Sequence, residues 1–161
     1  MIPAVGTLAL PLQLLRGMLI ASPAWIAWRG TVDAANPGEY LIRSPESLMR
    51  PHVIIDFDGN FSRSRDAIAL RRFAQNTALQ IYFCESPTPG APDDDATIAF
   101  LDRIDAVMGQ IEIMPPLAGG NSLSIDGYTI KSGPLRTPPD QVDRQGDIIE
   151  LIISIDARMR A

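Results

Sequence analysis

The chain has 161 residues, of which 46% are hydrophobic and 20% charged, with a formal net charge of −5. These values suit one domain with a buried core and exclude a disordered chain, and the acidic balance argues against a global electrostatic grip on DNA or on an anionic membrane. A single cysteine (Cys84), a single histidine (His52) and a single lysine (Lys131) exclude an intrachain disulfide, a multi-histidine metal site and a P-loop, and make a reducing compartment the default.

The N-terminal stretch AVGTLALPLQLLRGMLIASPAWIAW is apolar, but Arg16 interrupts it and Pro11 and Pro23 bracket it. No basic residue precedes Arg16, so a secretory n-region is missing, and the uncharged runs are too short to span a bilayer. The spacing of Leu8, Leu12, Leu15 and Leu19 predicts a core-docked helix over about 8–21, ended by Pro23. Residues 30–50 read as a long loop with an edge strand at 39–43. His52–Asp58 reads as a strand with Val53, Ile55 and Phe57 on one face and Ile54, Asp56 and Asp58 on the other.

GNFSRSRD then reads as a turn into a second strand, clearest over Thr77–Glu85, and the two form an antiparallel pair. After the breaker-rich SPTPGAP, the acidic triplet Asp93–Asp95 opens a helix to about Ile111, where an N-cap and first turn favour negative charge. Residues 123–131 suggest a strand or hairpin with Asp126–Gly127 at a turn or bulge. SGPLRTPPDQVDRQGD reads as a polar loop before a last strand, in which Ile149, Leu151, Ile153 and Ile155 share one face. The expected fold is one α+β domain over 1–161: a mainly antiparallel sheet of about four strands packed with two helices, with long loops and a sheet-and-helix core over 51–161.

VIIDFDGNF (53–61) resembles the hhhhDxDGT opening of haloacid-dehalogenase-type phosphatases. That resemblance implies Asp56 as nucleophile, Asp58 as general acid and Mg²⁺ to neutralise phosphate charge. The companions do not follow. Lys131 comes after the acidic triplet rather than before it, Asn60 replaces the family's threonine, and strand-like sequence stands where a crossover helix belongs. The simpler reading is turn chemistry at Asp58-Gly59-Asn60 on a solvated face. A calcium loop counted from Asp56 fails, because Phe61 and Ala67 stand where glycine and glutamate are needed.

The other candidates have plain explanations. Asp93–Asp95 suits a helix start better than a metal site. Arg63, Arg65, Arg71 and Arg72 form a local basic patch, for nucleic acid or an acidic partner on one reading, and for a solvated face or subunit contact on the simpler one. Cys84 reads as a packed thiol, and His52 has no triad partner. Trp25 and Trp28 suit a partner anchor or core packing equally. No catalytic, cofactor-binding or metal-ligating residues are therefore expected, and the chain reads as a non-enzyme that works through its surfaces.

The order of elements resembles the tail terminator (tail-completion, neck) proteins of long-tailed bacteriophages. The likeness lies in a first helix, a proline-opened strand (RPHVIIDFD), a second strand running into a proline loop (ALQIYFCESPTP), an acid-capped helix (DDDATIAFLDRIDAVMGQI) and a closing strand (GDIIELIISIDARMR). The resemblance covers about residues 50–161 and rests on layout, not on a signature motif. It implies a virion protein, assembled in the host cytoplasm, that forms a homo-oligomeric ring, commonly a hexamer. The ring caps the tail tube, ends its polymerisation and meets the head–tail connector, with DNA passing through unbound. No catalytic residues, cofactors or membrane partners come with it. The acidic charge suits a conduit that does not hold DNA, and the loops 30–50 and 115–146 are the expected contact regions. Another neck or connector protein and a degenerate Mg²⁺-dependent phosphatase using Asp56 and Asp58 are the alternative readings.

Overall fold

A computed structural model describes residues 9–32, 37–41, 51–59, 75–86, 92–114, 122–137 and 148–160. Helix α1 (Leu10–Ile20) buries Pro11, Leu12, Leu15, Met18 and Leu19. Its first turn holds a proline, whose missing N–H costs nothing there. The chain then turns by 80° into α2 (Pro23–Arg29). The Ser22 hydroxyl caps α2 by accepting the Trp25 N–H at 3.3 Å, Pro23 again stands in the first turn, and Gly30 ends the helix at φ +71°. This second helix was not expected; Pro23 ends α1 as anticipated, but it also starts α2. Among the described residues no single helix is long and apolar enough to cross a membrane; the bent α1–α2 pair has the length and composition, yet its apolar side faces the sheet.

The sheet contains β1 (Glu39–Tyr40), β2 (His52–Phe57), β3 (Gln75–Glu85), β4 (Ser122–Thr137) and β5 (Ile148–Arg160) in the order β1-β2-β3-β5-β4. All pairings are antiparallel except that of the two-residue β1 with β2. The fold is therefore α+β with a mixed, mainly antiparallel sheet. It has five strands and three helices among the described residues, against the four and two expected.

One strand boundary differs from the sequence reading. Residues 132–137, taken as loop, continue β4: the register shifts between Ile130 and Ser132 and again between Ser132 and Leu135, which takes the glycine and proline into the strand without ending it. Gly133 has φ +95°, and a Cβ there would lie 2.6 Å from the Glu150 carbonyl oxygen, so the close approach of β5 requires glycine. Of the turn or bulge expected at Asp126–Gly127, the strand shows a bulge-like register shift within continuous β4.

The long helix α3 (Asp93–Glu112) buries Phe100, Ile104, Val107, Met108 and Ile111. Its N-cap is Pro92 without a side-chain cap, so the aspartates sit in the first turn, where the helix dipole favours them. The helices cover one face of the sheet. Val53, Ile55, Leu79, Ile81, Phe83, Leu151, Ile153 and Ile155 alternate onto that face and form one core cluster with α1, α2 and α3. Leu15, Trp25 and Phe83 are fully buried within it. The turn expected at GNFSRSRD and the arginines at 63, 65, 71 and 72 lie outside the described residues.

Candidate functional site

Two polar assemblies stand out, one on each side of the sheet. On the outer side, β2 leads directly into Asp58, whose carboxylate gathers groups from two other strands, one of which also reaches β3. Lys131 Nζ of β4 donates to its Oδ1 at 2.5 Å and to Gln80 Oε1 of β3 at 3.2 Å. Ser154 of β5 donates its hydroxyl to Asp58 Oδ2. The lysine hydrogen bond, then the serine one, hold the Asp58 carboxyl below the usual carboxylate range. Asp56 is exposed, and its Oδ1 accepts the N–H of Phe57 at 2.7 Å. Lys131 is far from Asp58 in sequence, yet the sheet brings them into contact; what it engages is Asp58, not the residue in the nucleophile position. Both Asp58 oxygens are occupied by neighbours, and a carboxylate held ionised by a lysine and a hydroxyl is a poor general acid or base.

On the helix side, two tryptophans three positions apart on α2 repeat one arrangement. Trp25 Nε1 donates to Glu39 Oε1 at 2.6 Å, and Glu39 pairs with Arg29, which also donates to the Pro37 carbonyl at 3.1 Å. Trp28 Nε1 donates to Glu85 Oε2 at 2.8 Å, and Glu85 receives Arg103 on both oxygens at 3.0 Å. Both glutamate side chains are almost wholly buried (2% and 7% exposed), so each carboxylate has replaced water with an indole and a guanidinium. The rings pack with Phe83 and Phe100: Trp28 stacks on Phe83 at 5.7 Å and meets Phe100 edge-on at 5.8 Å. Gln110 completes the joint, its Oε1 accepting from the Ser22 hydroxyl at 2.6 Å and the Ala24 N–H at 2.9 Å.

Of the residues singled out from sequence, Trp25 is a core residue and Trp28 a partly buried one packed against it. Cys84 is buried, and the register places it opposite His52, which is also buried and has the Tyr40 ring at 6.1 Å. Among the described residues no three His, Cys, Asp or Glu side chains are placed to hold a metal ion. No protein-family model matches this chain. A search of curated proteins likewise finds no match. The buried glutamates were missed in sequence, although Glu85 carried a signal: it falls on the same face as Ile81 and Phe83, where an unpaired carboxylate would not be tolerated.

The charge is unevenly spread. Helix α3 carries six carboxylates and one arginine, so its formal charge alone equals the net −5 of the chain. Arg103 is committed to Glu85, while Asp93 at the helix start pairs with Arg136 of β4. Tyr128 of β4 is pushed above its ordinary value by burial and then by Asp105 and Glu112 of the same helix.

Proposed function

We propose that this protein is a structural assembly subunit of a long-tailed phage, a tail terminator or neighbouring neck component, that forms a ring on the end of the tail tube. The reading is carried by the order of elements: a helix, a strand opened by Pro51, an antiparallel partner, a twenty-residue acid-led helix and a long closing strand. That is the layout which the resemblance to tail terminators requires over residues 50–161. The division of the sheet supports it. One face is committed to the core, while the outer face and the β4 edge present polar and apolar groups to whatever lies outside. The partners of this reading are further copies of the chain, the tail tube protein and the head–tail connector, with DNA passing through a lumen it does not grip.

Negative-stain imaging of the protein mixed with cognate tail tubes tests this reading. Rings seated on tube ends are expected; bare tube ends at saturating protein would overturn it. A second reading has one observation in its favour, the contact of Lys131 with Asp58. It is a degenerate Mg²⁺-dependent phosphatase using Asp56 and Asp58, and it requires phosphomonoester hydrolysis that is lost in Asp56→Asn. We expect no such hydrolysis.

A further inference from the structure

The edge strand β4 carries a short self-complementary run, Gly127–Ile130. The register shifts at Ile125/Gly127 and Ile130/Ser132 bound it, and within it the pairing with β5 is regular: Tyr128 opposite Ile155, Thr129 opposite Ser154, Ile130 opposite Ile153. Tyr128 and Ile130 therefore point to the helix side and Thr129 to the outer side. Both helix-side residues remain exposed, Tyr128 at 37% near the Asp105 and Glu112 carboxylates of α3 and Ile130 at 53%. An edge strand with regular geometry and exposed apolar groups is a template for another strand.

The geometry points to a second copy of this chain as the occupant: β4 of one protomer pairs antiparallel with β4 of its partner about a two-fold axis at Thr129, joining the two sheets into one. Centring on Thr129 puts Tyr128 of each copy opposite Ile130 of the other on the helix side, an aromatic–β-branched pair of the kind that stabilises antiparallel ladders. On the outer side threonine faces threonine. A centre moved by one residue, to Tyr128, pairs Ile130 with Asp126 and loses both features. The bulges on either side of 127–130 limit the contact to this run and keep the rest of the edge from open-ended pairing. The contact is isologous, so in a ring assembly it joins protomers in pairs or one ring to another rather than closing the ring, and its test needs no tail tube.

Cysteine cross-linking tests it. Directly opposed residues on antiparallel strands have Cα atoms about 4.5–5.5 Å apart, inside the roughly 4.4–6.8 Å that a disulfide spans. Under a mild oxidant Thr129→Cys, made with Cys84→Ser, is expected to give a covalent dimer, while Ile98→Cys on the exposed side of α3 in the same background is not. Adding Ile130→Lys, at a half-exposed position that leaves the circular dichroism spectrum intact, is expected to abolish the cross-link and the dimer peak in sedimentation. A wild-type chain that sediments at its 17.5 kDa mass at all concentrations overturns the proposal. So does a Thr129→Cys cross-link that is absent, matched by Ile98→Cys or unaffected by Ile130→Lys.

Discussion

The two sides of this sheet handle charge in opposite ways. On the helix side Glu39 and Glu85 are desolvated, and each is matched by an indole N–H and an arginine fixed in the same packing unit. On the outer side the pairs Asp58–Lys131 and Asp126–Arg158 use similar chemistry with much of each cation in water: Lys131 is 46% exposed and Arg158 45%. The same ion pair is a structural clamp where removing one partner strands a buried charge, and a minor contact where water replaces the lost partner. The helix side thus holds the fold together, and the outer side and β4 edge can change without unfolding it.

Removing single cations orders these contacts. Arg29→Ala leaves Glu39 buried with only the Trp25 indole, and is expected to lower unfolding free energy by about 3–5 kcal/mol in denaturant titration. A loss below 1 kcal/mol there would erase the contrast between the two sides. Arg103→Ala should cost less, about 1–3 kcal/mol, because Arg103 is half-exposed and water can reach part of the Glu85 carboxylate it leaves. Lys131→Ala should cost about 0–1 kcal/mol, and salt should shrink even that.

Asp58 adds a pH dependence with a definite sign. Its folded-state pKa is depressed below the ordinary value of 3.8, so its contribution is fully present above the unfolded value and is lost as pH falls through the folded one. Asp58→Asn should therefore lower the neutral plateau slightly, since the contribution is present there, and flatten the acid limb of the stability profile below about pH 4. A steeper acid limb in the variant would contradict the hydrogen bonds assigned to Asp58. The smallest effect is expected at Arg158: its partner Asp126 is also exposed, so Arg158→Ala should leave the melting temperature unchanged.

Where a face was one-sided, the sequence was enough. Strict alternation in VIIDF, LQIYF and IELIISI fixed which residues of β2, β3 and β5 enter the core, because burial of one strand face leaves only one register. The apolar stripe of α3 was equally clear. What could not be seen depends on partners distant in the chain. Glu39 on a two-residue strand has no period to betray it, and Trp25 three residues from Trp28 was compatible with a core or a surface until the glutamates were in place. Lys131 stands in the wrong order for the phosphatase motif, yet antiparallel pairing through β5 brings it to Asp58, which the order of motifs does not reveal. The extension of β4 past Gly133 was missed for a related reason: glycine followed by proline signals a break locally, and only the neighbouring β5 sustains the strand. None of the polar clustering at Asp58 or beneath α2 was visible from motif spacing.

Tube growth is the most direct test of the proposed function. Tail tube protein polymerising in vitro is followed by light scattering, with this protein added during elongation at a substoichiometric ratio. The account predicts that elongation stops at a length set by the time of addition, with the added protein found only at tube ends. Continued elongation at the unmodified rate, with the protein left in the supernatant, would contradict it.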